Sequence, residues 1–390
     1  HGLFPSMLLR QAADLGGAAG LALLVLLANE AVAQAWCRRR DGARRVLAAL
    51  APALGIVLAL AGYGALRLAT LPAPPADVAA IRVAMVQASI TDYEGMRREI
   101  GAHAVVRHVL DTHYALSWSA LRDHQADALL WSETVYPTPF GHPRSELGAE
   151  LDREIQGFVD SAGVPLVFGT YDVDGAGEYN AAAFLEPGQG LLGYYRKTHP
   201  FPLTEYVPAW LDGPRFRRWV PWAGGWRPGH GARVLPLRTV DGREVDVLPL
   251  ICLDDVRPRL ALDGARLGAQ AIIGLSNDSW FSDFPVGADL HLRVAAFRSI
   301  ETRLPQLRVT TNGMSALIDP RGEVLARTGM GDQAVLTGVI AAHDPPATLM
   351  VRWGDWVGRV ALVVLFGFAL GPLWRRLRAR AEARAAADAA

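Results

Sequence analysis

A carboxylate, an ammonium and a thiol each stand at the end of an apolar run in this chain. Glu133 follows ALLWS, Lys197 follows GLLGYYR, and Cys252 closes VLPLI. Together they are the parts of a thiol acyl-transfer site. A thiol with a pKa of about 8.5 is largely protonated at neutral pH and becomes a nucleophile beside a base or a cation. Glu133 suits the task of taking that proton and returning it to a leaving group. The Lys197 ammonium suits the oxyanion of a tetrahedral intermediate, with the backbone N–H after the cysteine as second donor. Lys197 is the only lysine among 39 lysines and arginines. A wide planar guanidinium would fill the space the substrate carbonyl needs, which explains the exception. Taken singly, the three residues have plainer readings: a core cysteine, a solvated glutamate and an accident of arginine-rich composition.

The elements that must position them alternate between strand and helix patterns. Strands are expected at IRVAMVQ from 81, ADALLWSE from 126, VPLVFGTY from 164, YNAAAFLEP from 179, VDVLPLICL from 245, QAIIGLSN from 270 and LRVTTN from 307. Helices are expected over 93–114, 146–162, 257–267 and 289–303. This is an α/β pattern of sheets covered by helices, in which functional residues gather at strand ends.

The chain is 51% hydrophobic with formal net charge zero, which argues against disorder and against a nucleic-acid partner. Its two cysteines, Cys37 and Cys252, are too few for a disulfide framework. Three stretches read as transmembrane helices: 8–36, 46–70 and 356–374. The second is free of charge in VLAALAPALGIVLALAGYGAL; the first carries Asn29 and Glu30, which lipid tolerates when they face partner helices. The third is short, flanked by Trp353, Trp356 and Trp374 as an interfacial belt would be. Arginines fill the loop 37–45 (CRRRDGARR) and the Ala-rich tail 375–390. By the positive-inside rule both are cytoplasmic, which puts the domain 78–342 on the opposite side, the periplasm of a bacterial inner membrane. Proline-rich LPAPPAD, 71–77, is the linker. The chain opens on His1 and enters an apolar segment at once, so a preceding N-terminal piece is expected.

The motifs LLWSETVYP, YYRKTHPFPLTEYVP, LPLICLDD and LSNDSWF, with HLRVAAFRSIETRLPQLRVTTNGMSALIDPRGEV from His291, resemble the nitrilase (carbon–nitrogen hydrolase) superfamily. Within it they resemble the apolipoprotein N-acyltransferases, and the likeness extends to the first and last membrane helices. The resemblance implies a four-layer α-β-β-α sandwich between transmembrane helices. It makes Glu133 the general base, Lys197 the oxyanion stabiliser, Cys252 the nucleophile and Glu205, in PLTE, a second glutamate supporting the lysine. The implied reaction is ping-pong and needs no metal or organic cofactor. The cysteine takes a fatty acyl group from a phospholipid and passes it to the N-terminal amine of a diacylglyceryl-lipoprotein.

Alternatives are a membrane-tethered amidase, in which water resolves the thioester, and a catalytically silent binding or scaffold protein. The chain departs from the family at several places. Leu253 and Asp254 replace an aromatic and a glutamate after the cysteine, the lysine loop reads HPFPLTE, and Tyr93 stands where a substrate-contacting tryptophan is usual. Tyr93, Leu253, Asp254, Trp280 and Phe281 are the expected substrate contacts. In NDSWF, Asn277 and Asp278 are expected to satisfy backbone groups. His291, Arg298 and Glu301 lie at helical spacing and read as a salt-bridged face. WVPWAGGWRPGHG from Trp219 reads equally as an interfacial lid or a packed loop.

Overall fold

The computed structural model describes residues 1–75 and 77–388; Ala76 of the expected linker and residues 389–390 of the expected tail lie outside the described residues. A short α1 (Met7–Arg10) leads into α2 (Ala13–Cys37), which bends at Gly17, and the chain returns through α3 (Ala43–Thr70). Among the described residues these two long helices, which contain 18-residue stretches of mean hydropathy 1.8 and 2.2, are the ones long and apolar enough to cross a membrane. Leu26, Leu27, Leu54 and Leu58 lie exposed along them, as a lipid-facing surface requires. Asn29 and Glu30 also face outward, and Glu30 accepts from Gln34 Nε2 at 3.0 Å.

Two six-stranded sheets follow. The first contains β1 (Ala80–Gln87), β2 (Ala128–Trp131), β3 (Leu166–Asp174), β4 (Gly177–Glu186) and β5 (Gly190–Arg196). The second contains β6 (Leu235–Arg238), β7 (Glu244–Ile251), β8 (Ala271–Ser276), β9 (Gln306–Thr310), β10 (Ala316–Ile318) and β11 (Val324–Arg327). Then β12 (Ala334–Ala341) returns to pair antiparallel with β1, giving the orders β12-β1-β2-β3-β4-β5 and β11-β10-β9-β8-β7-β6. In each sheet the middle strands are parallel (β1-β2-β3 and β7-β8-β9) and the flanking pairs antiparallel.

The period-two pattern of the strands builds the layers. Ile81, Val83 and Met85 of β1 join Val247 and Ile273 in the core between the sheets. Ala84 and Val86 point the other way, under α5 (Ala102–His124) and α6 (Glu146–Ala162), with Leu110 and Ile155. A shorter α4 (Tyr93–Ile100) precedes α5, and α7 (Pro214–Arg217) lies in the long loop after β5. The second sheet is covered by α8 (Pro258–Arg266) and α9 (Pro285–Thr302). The result is an α/β sandwich of helix, sheet, sheet and helix. After α10 (Leu349–Trp353), α11 (Trp356–Asp388) begins with the apolar stretch Trp356–Pro372 and runs unbroken into the basic tail.

Two expected elements differ, the first being the helix over 8–36, which is α1 and α2 with a bend at Gly17. The helix expected over 93–114 is two helices, broken at Gly101, whose φ of 87° leaves the helical region, and the second extends to His124. β5, β6, β10, β11 and β12 add to the expected strands; they are short or half-exposed and carry little apolar contrast.

Polar side chains join the N-terminal helices to the domain. Asp14 of α2 accepts from Tyr63 Oη (2.6 Å) and Arg67 Nε (2.8 Å) on α3, and from Arg303 Nη2 (2.6 Å) at the end of α9. Glu301, fully buried, pairs with Arg298 at 2.9 Å and accepts from the Ala18 N–H beyond the bend in α2.

Candidate active site

Each of the three residues sits where a strand stops. Glu133 lies two residues past β2, and β3 crosses it so closely that a Cβ on Gly169 would come within 2.6 Å of the Glu133 Cα. Lys197 follows β5, its backbone N–H held by the Asn180 carbonyl of β4 at 2.8 Å. Cys252 follows β7 with φ of 48°, a left-handed conformation unusual outside glycine, and opens a tight 3-10 turn through Val256. A strained backbone of this kind aims the side chain out of the strand line.

The geometry brings four of the expected residues together. Lys197 Nζ lies 2.9 Å from Glu133 Oε1 and 2.8 Å from Glu205 Oε1, buried between two carboxylates. Glu133 Oε1 also accepts from Asn180 Nδ2 at 2.7 Å, and Oε2 from the Asn277 backbone N–H at 2.8 Å. Glu205 is fixed in turn by the Phe201 N–H at 2.5 Å. Cys252 shares one cavity with all of them, about 610 Å³ in volume. Its polar end holds Glu133, Lys197, Glu205 and Asn180, and its apolar walls include Leu253, Phe201, Trp226, Trp280, Phe281 and Leu290.

The charges follow from burial and neighbours. Burial, with Glu133 beside it, pushes the Cys252 thiol well up, against the pull of Lys197. Burial raises the Glu133 carboxyl too, Lys197 opposing and Glu205 adding to the rise. For Lys197 burial works against the charge, but Glu133, Cys252 and Glu205 outweigh it and the ammonium is held more firmly than usual. The site therefore holds a thiol that resists ionisation, a firmly held ammonium, and a carboxyl whose charge burial opposes and Lys197 favours.

A second charged cluster braces the turn that begins at Cys252. Arg308 of β9 pairs with Asp255 and, at 3.3 Å, with Asp278, while His291 Nδ1 lies 3.2 Å from Asp278 Oδ1. Burial opposes the charge on Asp278, but Arg308 and His291 hold its carboxyl well below the usual range.

Of the expected substrate contacts, Leu253, Trp280 and Phe281 line the cavity with Cys252, and Tyr93 lines a second chamber that also reaches Glu133. Asp254 lines neither and has 0% exposure. Its carboxylate accepts from Tyr195 Oη (2.7 Å), the His199 N–H (2.8 Å) and the Ile251 N–H (3.2 Å), so it is a strut tying the cysteine turn to the lysine loop rather than a substrate contact. Asn277 does cap the turn, accepting from the Ser279 N–H at 3.2 Å, whereas Asp278 is spent on Arg308 and His291 rather than on backbone groups. Arg298 and Glu301 form an ion pair as expected, but a buried one, and His291 lines the cavity instead of joining them. In the aromatic loop Trp219 and Trp222 are exposed, while Trp226 packs on Tyr171 at 4.2 Å and walls the cavity. Asn180, Tyr171 and Arg308 went unread in the sequence. The available signal was a polar or charged residue inside an apolar strand, Asn180 in YNAAAFL and Arg308 in QLRVT.

Compared with known families, residues 82–344 match carbon-nitrogen hydrolase. Among curated proteins, the apolipoprotein N-acyltransferase 2 of Treponema denticola is 27% identical over 263 residues, covering 66% of this chain and 50% of that protein. The apolipoprotein N-acyltransferase of Caulobacter vibrioides is 32% identical over 373 residues, covering 92% of this chain and 65% of that one. The chain thus spans between half and about two thirds of the length of these curated relatives. A carbon-nitrogen hydrolase of known structure from Helicobacter pylori G27 is 17% identical, with a TM-score of 0.49 over 72% of this chain and 93% of its own.

Proposed function

The chain belongs to the carbon–nitrogen hydrolase (nitrilase) family, and from that premise we infer that it is a membrane-bound N-acyltransferase working through a thioester on Cys252. One observation carries the reading. The thiol, the Glu133–Lys197–Glu205 group and a largely apolar cavity coincide in a domain fastened to two helices of membrane-spanning length. An apolar wall at the nucleophile fits a fatty acyl chain, and the homology to apolipoprotein N-acyltransferases supports a phospholipid as donor and a diacylglyceryl-lipoprotein amine as acceptor.

In the first half-reaction the Cys252 sulfur attacks the ester carbonyl while Glu133 takes the thiol proton. Lys197 and the backbone N–H after Cys252 steady the oxyanion. The proton then passes from Glu133 to the departing lysophospholipid oxygen. In the second half-reaction the acceptor amine attacks the thioester and the thiol is restored. Glu205 and Asn180 keep the lysine and the base in place. The basic loop and tail support an inner-membrane setting with the domain on the periplasmic side.

Intact-protein mass spectrometry after incubation with phospholipid tests the reading. The wild type is expected to gain one fatty-acyl mass, Cys252→Ala none, and a diacylglyceryl peptide is expected to discharge it. Release of free fatty acid with no amine present would point to water as the acceptor and to the hydrolase reading. Absence of any adduct would remove the lipid donor.

A further inference from the structure

Glu133 lies between two cavities. Besides the apolar one at Cys252, it lines a chamber of about 520 Å³ set between β2, α4 and α5. The two share Glu133, Thr134, Tyr171 and Asn277, and they differ in chemistry. The second presents the hydroxyl residues Thr91, Ser132, Thr138 and Thr311, and His113 is also in its lining. Glu94 and Arg97, both exposed and 3.4 Å apart, stand on α4 among its lining.

His113 is the informative residue. It is 3% exposed, and its Nδ1 lies 2.7 Å from the Val109 carbonyl one turn back on α5. A carbonyl only accepts, so Nδ1 carries the proton and Nε2 is left with a lone pair. That nitrogen has no partner in the protein. Burial lowers the His113 pKa to about 4, against the pull of the Val109 bond, so the ring is neutral and Nε2 remains an acceptor. A buried acceptor without a partner is costly to keep, and a donor brought by a substrate would relieve that cost.

We propose that this chamber is the acceptor subsite: it takes the polar peptide portion that bears the amine, with an N–H or O–H of that peptide bonded to His113 Nε2. The inference rests on the acyltransferase reading. Once the acyl group is on Cys252 its chain occupies the apolar cavity, so a second substrate needs separate room next to the same base. From this side the amine nitrogen forms the C–N bond as the C–S bond breaks. Its proton passes to Glu133 and then to the leaving sulfur, and no further reactant is consumed.

The two half-reactions separate the possibilities, measured by mass spectrometry on the full chain with phospholipid as donor and a diacylglyceryl peptide as acceptor. His113→Leu removes the buried acceptor; Val106→Trp fills the chamber without touching the histidine. In both, discharge of the acyl adduct is expected to slow about tenfold more than its formation, equivalent to about 1.4 kcal/mol. Equal slowing of both steps would assign the chamber to the phospholipid headgroup, or to the fold alone, and overturn the proposal. Unchanged discharge in both variants would also overturn it. A wild type that forms no adduct would instead sink the acyltransferase reading and this inference with it.

Discussion

Burial, with the Glu133 carboxylate adding to it, keeps Cys252 a protonated thiol, and in the proposed reaction that same carboxylate accepts the proton. Glu133 acts as a base only when ionised. Its activity is therefore present above its own raised pKa and lost as pH falls through it, so the acid limb of adduct formation is expected above the ordinary value of about 4.3. Asn180→Ala removes a donor to that carboxylate and should move the limb to higher pH; an unmoved limb in a pH profile of initial rates would assign it to another group. Lys197→Arg should slow adduct formation by about 10²–10³-fold, the scale of losing one oxyanion donor, since the fork cannot fit between Glu133 and Glu205 at 2.9 and 2.8 Å. Retention of near wild-type rate would make the lone lysine a compositional accident. Lys197 was legible in the sequence because no other lysine competes for notice. Asn180 was not, since its role depends on β4 lying beside β5, a pairing that residue type alone does not specify.

The turn after β7 and the loop after β5 are held as one piece by Asp254, and this is where the chain's departure from its family has a structural consequence. A carboxylate with 0% exposure and this many donors has no slack for another methylene. Asp254→Glu is expected to destabilise by about 1–3 kcal/mol through overpacking, and Asp254→Ala by a similar or larger amount because buried N–H groups lose their acceptor. Thermal melts in detergent check both, and a neutral Asp254→Glu would show that the turn has room to shift. Gly169→Ala is expected to displace Glu133, because its Cβ would press on the backbone from Ser132 to Thr134. That variant should lose adduct formation even where it folds. Strands β1, β3, β4 and β7 were readable as apolar runs because each is buried on both faces over most of its length. The break at Gly101 and the half-exposed β12 were not, since local pattern carries little contrast at either.

At the scale of the whole molecule, buried charge sets how the apolar N-terminal helices meet the α/β domain. Asp14 is shared by Tyr63, Arg67 and Arg303, so Arg303→Met leaves a carboxylate short of a partner and is expected to cost about 3–5 kcal/mol. A melt in detergent that does not move would show the seam to be dispensable. The two N-terminal apolar helices were legible from composition, whereas Asp14 and Glu301 find their reasons only in the contact between α2, α3 and α9. Orientation has a built-in probe: Cys37, exposed at the end of α2 beside CRRRDGARR, is one of two cysteines, and the other lies at the active-site cavity. In a Cys252→Ala background the positive-inside reading puts Cys37 in the cytoplasm. A membrane-impermeant maleimide should then leave it unlabelled in intact spheroplasts and label it in inverted membrane vesicles. The reverse pattern would place the basic loop outside and the catalytic domain in the cytoplasm, away from the acceptor that the proposed reaction requires.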